Sequence, residues 1–237
     1  MGNDSVTANL FDDLEQRKMT LIVIDFEAAT PAGRPAEPLE VAAMALMVRG
    51  GRLVEDGRFE ALIRPPEDVP LTSRDLAHGI TADELRAAAS AAQVLGDLDR
   101  LLTTPPYRLV AQHASVEANL IARQHQHCPR LATTPLLDTV RLARRAVPGL
   151  GSYGLDALLS YYSIPRPPGR HRAMPDVVVT AEILRRLLAE GQAEGHFHTL
   201  LHLDATAGLH PRPPASEIPS VQEGLFELGP AAGGDEG

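Results

Sequence analysis

The 237-residue chain has one cysteine, Cys128, and one lysine, Lys18. A single thiol excludes an intramolecular disulfide and any zinc site built from several cysteines. With so little lysine the basic charge is almost all arginine, and 22 basic against 31 acidic residues leave a net charge of −9. That balance excludes a protein that grips nucleic acid through a broad basic surface, because such affinity follows the number of phosphates neutralised. It leaves open an enzyme that meets phosphates through metal ions and a few arginines. Long apolar runs are lacking too, so no segment reads as a membrane span. The opening stretch MGNDSVTANLFDDLEQRK has neither the basic start nor the apolar centre of a signal peptide, and a cytoplasmic location is expected. With 44% hydrophobic residues, the chain is long enough for one globular domain with a substantial core.

Residues 1–18 offer only Leu10, Phe11 and Leu14 as apolar anchors and are expected to form a flexible segment. Strands are predicted at 21–27, 41–48 and 59–63. Gly50-Gly51 marks a hairpin, and Pro65-Pro66 ends the third strand. Thr81 and Glu84 form a capping box ahead of one or two helices. A strand at 108–111, a helix at 116–124 and a strand end at 136–138 follow, and Asp138 is placed to cap a helix over 139–146. Further helices are predicted at 154–162 and from Pro175 onward, where proline suits the first turn. Three strands followed by alternating helices and short strands predict an α/β fold, a mixed five-stranded sheet flanked by helices. The main domain spans 19–190. Residues 191–237 form a partly disordered tail, with a short helix expected within 196–209 and linker-like composition at 211–219 and 229–237.

In the run Leu21-Ile22-Val23-Ile24-Asp25-Phe26-Glu27 four branched aliphatics end in two carboxylates. Side chains alternate along a strand, so Asp25 and Glu27 share one face and Phe26 takes the other, where it reads as core. Two acids on one face at the end of a buried strand are either solvated at the surface or compensated by a divalent cation. A second constellation is His171-Arg172-Ala173-Met174-Pro175-Asp176, in which a loop histidine precedes an aspartate in a first helical turn. The helix dipole alone accounts for such an aspartate. Together the two residues can face a common centre, one as metal ligand and the other as proton acceptor.

These two segments resemble the histidine-containing branch of the DEDD-type 3′→5′ exonucleases, which includes epsilon-type proofreading subunits and RNase T. The likeness extends to His78-Gly79-Ile80-Thr81, to Leu137-Asp138-Thr139 with the following RLARR, and to SYGLDALLSYYSIP at 152–165. It covers about residues 19–190. The resemblance implies a ribonuclease H-like fold and two Mg²⁺ or Mn²⁺ ions about 3.5–4 Å apart. Asp25, Glu27, Glu117 and Asp176 would hold them, and His171 would be the general base. It also implies release of nucleoside monophosphates from the 3′ end of single-stranded DNA or RNA, with DNA favoured. The middle motif departs from the family pattern His-Asn-x-x-Phe-Asp, because His113 replaces the Asn, Val116 the Phe and Glu117 the Asp. That departure supports an alternative, a catalytically weak exonuclease-like domain serving as a scaffold subunit in replication or repair. In the tail, Gln222, Leu225 and Phe226 resemble the short peptides that dock on the bacterial sliding clamp.

Overall fold

The computed structural model describes residues 9–73, 75–76, 79–169 and 171–211. α1 (Leu10–Gln16) leads into β1 (Thr20–Ala29), whose branched aliphatics favour a pleated, buried surface. β1 pairs antiparallel with β2 (Glu37–Arg49), which turns back antiparallel as β3 (Arg52–Arg64). Gly50 and Gly51 make that turn with φ of 58° and 72°, the left-handed conformation a two-residue hairpin needs. α2 (Ala82–Ala87) opens on the expected capping box: Thr81 Oγ1 accepts from the Glu84 N–H, and the Glu84 carboxylate accepts from the Thr81 N–H at 2.8 Å. The short β4 (Ala89–Ser90) separates α2 from α3 (Ala91–Leu101), which Ser90 caps.

β5 (Tyr107–Ala111), α4 (Ser115–Arg123), α5 (Pro129–Thr133), β6 (Leu136–Asp138) and α6 (Thr139–Ala146) continue the chain. Then come α7 (Leu155–Tyr161), α8 (Ala173–Ala193), α9 (Leu200–Ala207) and β7 (Gly208–Leu209). The sheet order is β4-β3-β2-β1-β5-β6-β7, with β1, β5 and β6 parallel. The five predicted strands are all present, and each edge carries one further strand of two residues, too short to leave an apolar signature in the sequence.

The alternation along β1 divides the core. Leu21 and Val23 face a cluster with Leu10 and Leu14 of α1, Leu142 of α6 and Val177, Ile183, Leu184 and Leu187 of α8. Ile22, Ile24 and Phe26 face the other side, with Leu95 and Leu98 of α3, Leu120 and Ile121 of α4 and Leu131 of α5. Asp25 and Glu27 therefore continue the face on which α8 lies, and Phe26 is core, as its position on the strand predicts.

The predicted flexible segment 1–18 contains a docked helix. Leu10 and Leu14 are fully buried, the Leu10 N–H donates to Gln192 Oε1 at 3.1 Å, and Asp13 accepts from the Leu200 N–H at 2.8 Å. Seven residues are too few for a stable isolated helix, so these contacts hold it. Within the predicted tail, α9 is tied to β5 by Arg108, whose Nε and Nη2 donate to the two carboxylate oxygens of Asp204 at 2.9 and 2.8 Å. Residues 1–8, His78 and the motif residues Gln222, Leu225 and Phe226 lie outside the described residues.

Candidate active site

Parallel strands end at one edge of the sheet, and the crevice beyond their carboxyl ends is where open α/β sheets place ligands. Here β1 delivers Asp25 and Glu27 near its carboxyl end, β6 ends at Asp138, and the turn after β5 leads into Glu117 on the first turn of α4. A register shift between Glu27 and Ala28 breaks the β1–β2 ladder just after the second acid. Such irregularities re-aim side chains beside functional sites. α8 crosses β1 and β2 and brings Asp176, in its first turn, onto the same face.

The structure joins three of the predicted acids. Carboxylate oxygens of Asp25, Glu27 and Asp176 lie within 4.8 Å of one another, with Asp176 buried and the other two half-buried. Glu117 stands outside that group. It is only 3% exposed, and its Oε2 has no hydrogen-bond partner. Burial, with the negative charges of Asp138 and Glu27, pushes its carboxyl up to about 8. Acids gathered this closely repel one another, and a buried carboxylate oxygen without a donor is costly. A hard divalent cation with oxygen ligands relieves both, so the donor set fits such an ion.

His171 is exposed, two positions before α8 begins, and its φ is 71°. A non-glycine residue in this region costs about 1–3 kcal/mol and persists only where the surroundings impose it. Gly169 (φ 76°) precedes the loop, and its carbonyl accepts from the Arg172 N–H at 3.0 Å. His113, also exposed, has φ 60° at the turn between β5 and α4. Beside it, Gln112 Nε2 donates to the Tyr153 carbonyl at 2.9 Å, and its Oε1 accepts from Thr139 Oγ1. One amide thus ties the middle motif to the 152–165 motif and to α6.

Two buried acids near this edge were not predicted as site residues. Asp138 reads in the sequence as a helix cap and as part of the Leu137-Asp138-Thr139 likeness; it is that cap, accepting from the Val140 N–H at 2.9 Å, and its charge also reaches Glu117. Glu40 gave no warning, since an acid in a strand ordinarily faces water. It is fully buried opposite Glu27 in the β1–β2 register and is held by Arg172 at 2.6 Å.

Residues 22–184 match the family model RNase_T, described as exonuclease. The chain belongs to this exonuclease family. It is 28% identical over 226 residues to a PolC-type DNA polymerase III of Oceanobacillus iheyensis, covering 93% of this chain and 15% of that one. A DNA polymerase III subunit epsilon-like protein of Rhodobacter capsulatus is 30% identical over 181 residues, 75% of this chain and 25% of its own length. The exonuclease-family chain thus spans a quarter or less of both relatives. The DNA polymerase III subunit epsilon of Aquifex aeolicus is 29% identical over 172 residues, with 72% and 81% covered. Among solved structures, the nuclease domain of 3′hExo, a DEDDh family member bound to rAMP, aligns with a TM-score of 0.60. The identity is 20%, over 73% of this chain and 92% of that one, which shows the shared ribonuclease H-like fold. Among the described residues, no helix is long and apolar enough to cross a membrane.

Proposed function

We propose that this exonuclease-family chain is a divalent-metal-dependent 3′→5′ exonuclease that releases nucleoside monophosphates from nucleic acid ends. The observation that carries the reading is the meeting of Asp25, Glu27 and Asp176 within 4.8 Å at the carboxyl end of the parallel strands. These three carboxylates would hold a Mg²⁺ or Mn²⁺ ion, and Glu117, with its partnerless buried oxygen, would serve a second. When bound, the ions supply positive charge that polarises the phosphodiester and stabilises the departing 3′-oxygen. The protein's own groups do the rest. His171 accepts the proton of the attacking water, a task suited to an imidazole near neutral pH. Water forms the new bond to phosphorus, the bond to the 3′-oxygen breaks, and a nucleoside 5′-monophosphate leaves.

DNA is the favoured substrate, because the relatives covering most of this chain are named as DNA polymerase III proteins. The same proposal includes docking on a sliding clamp through Gln222, Leu225 and Phe226; binding of a 211–237 peptide to the clamp measures it, and no shift at high micromolar concentration ends it. A second reading, a catalytically weak scaffold subunit, is supported by the place of Glu117 outside the three-acid group. A 3′-end assay on labelled oligonucleotides separates the two. We expect mononucleotide release with Mg²⁺ or Mn²⁺ and its loss in Asp25→Ala. A wild type inert with both metals on DNA and RNA overturns the catalytic reading.

A further inference from the structure

Glu40 and Arg172 lie beside the acid cluster without belonging to it. Glu40 is fully buried on β2, directly across the ladder from Glu27. Arg172 is the last residue before α8, its backbone still extended at φ −112° and ψ 144°. Arg172 Nε donates to both oxygens of Glu40 at 3.0 Å, and Nη2 donates to Oε1 at 2.6 Å. The N–H of Ala173, first residue of α8, donates to Glu40 Oε2 at 3.0 Å. One carboxylate therefore grips the start of the helix through both a side chain and the backbone. Both of its oxygens are filled by these donors.

The grip is transmitted over very few bonds. Arg172 follows His171, and its carbonyl accepts from the Asp176 N–H at 3.3 Å. Stability alone is a poor account of the pair, because a buried ion pair carries a desolvation cost and well-packed apolar residues often replace one without loss. Its location between the proposed base and a clustered acid points to a geometric role.

We propose that the Glu40–Arg172 pair is a positioning device, locking the amino end of α8 to the strand beside β1 so that Asp176 meets Asp25 and Glu27 and His171 is held at its strained backbone angle. The inference rests on the exonuclease reading. Neither residue touches the reacting atoms; both act through Asp176 and His171. Groups that orient metal ligands commonly cost 10–100-fold in affinity or activity when lost.

The test uses the full chain in three forms: wild type, Arg172→Lys, and the double apolar replacement Glu40→Met with Arg172→Met. Mn²⁺ affinity is read by calorimetry and by the rise in Tm, alongside kcat and KM on a labelled oligonucleotide. In the double variant we expect a melting temperature near wild type, Mn²⁺ binding weaker by about tenfold or more, and kcat lower by about 10–100-fold with KM little changed. Arg172→Lys, which keeps the charge but loses the bidentate fork, should fall between the two. A folded double variant with wild-type Mn²⁺ affinity and kcat overturns the proposal. If that variant does not fold, wild-type Mn²⁺ affinity in Arg172→Lys overturns it, and weakened affinity supports it. A wild type that neither binds Mn²⁺ nor cleaves defeats the exonuclease reading instead.

Discussion

At the residue scale, Glu117 links the site's chemistry to the protein's stability. Burial, reinforced by Asp138 and Glu27, raises its carboxyl from the ordinary 4.5 to about 8, so the metal-free fold keeps it protonated at neutral pH. The unfolded chain loses that proton near 4.5. Between about pH 4.5 and 8 the folded state thus binds more protons, and its stability falls as pH rises, levelling off above 8. We expect Tm measured in a chelator to decline through this window, Glu117→Gln to flatten the decline, and added Mg²⁺ to oppose it. An unchanged slope in Glu117→Gln defeats this account. On activity, Glu117→Asp should match or exceed the wild type in the 3′-end assay, because the shorter arm corrects a misplacement near ~1 Å that can cost about a hundredfold, and Glu117→Ala should lose activity; an unchanged rate in both makes this carboxylate a bystander. The sequence made Asp25, Glu27 and Asp176 legible because each sits in a short local motif. It concealed Glu40, whose partner Arg172 is 132 residues away.

At the scale of elements, local signals carried furthest. The double-glycine turn, the Thr81–Glu84 box and the Asp138 cap were each readable because the chemistry lies within a few neighbouring residues. Docked elements were harder to read. α1 has only two fully buried leucines and no stability of its own, so its place depends on Gln192 and Leu200, near the far end of the chain. Leu14→Ala should lower unfolding stability by about 2–5 kcal/mol, measured in urea. A loss under about 0.5 kcal/mol, the range of ordinary surface changes, would mean that α1 does not hold its site in solution.

At the scale of the whole molecule, the fold turns an acidic surface into a local instrument. With net charge −9 and little lysine, attraction to phosphate must come from a few points, and the carboxyl edge of β1, β5 and β6 gathers the acids that would hold cations there. The α/β class was legible from strand and helix order, and the β1–β5–β6 core of the sheet follows the usual economy of parallel crossovers. The two edge strands were not legible, because two residues carry no periodicity.

The acid cluster also has a history in time. Asp25 and Asp176 stand at opposite ends of the main domain, and their oxygens meet only after β1 has found α8 across all the intervening chain. Contacts of such long range form late, since the loop they close must first give up its freedom. Ion capture should therefore report completion of folding rather than its onset. In a stopped-flow refolding experiment, Mn²⁺ uptake is expected to follow the last kinetic phase, with helical signal recovered beforehand; uptake in the earliest phase would show that the cluster assembles without the finished sheet.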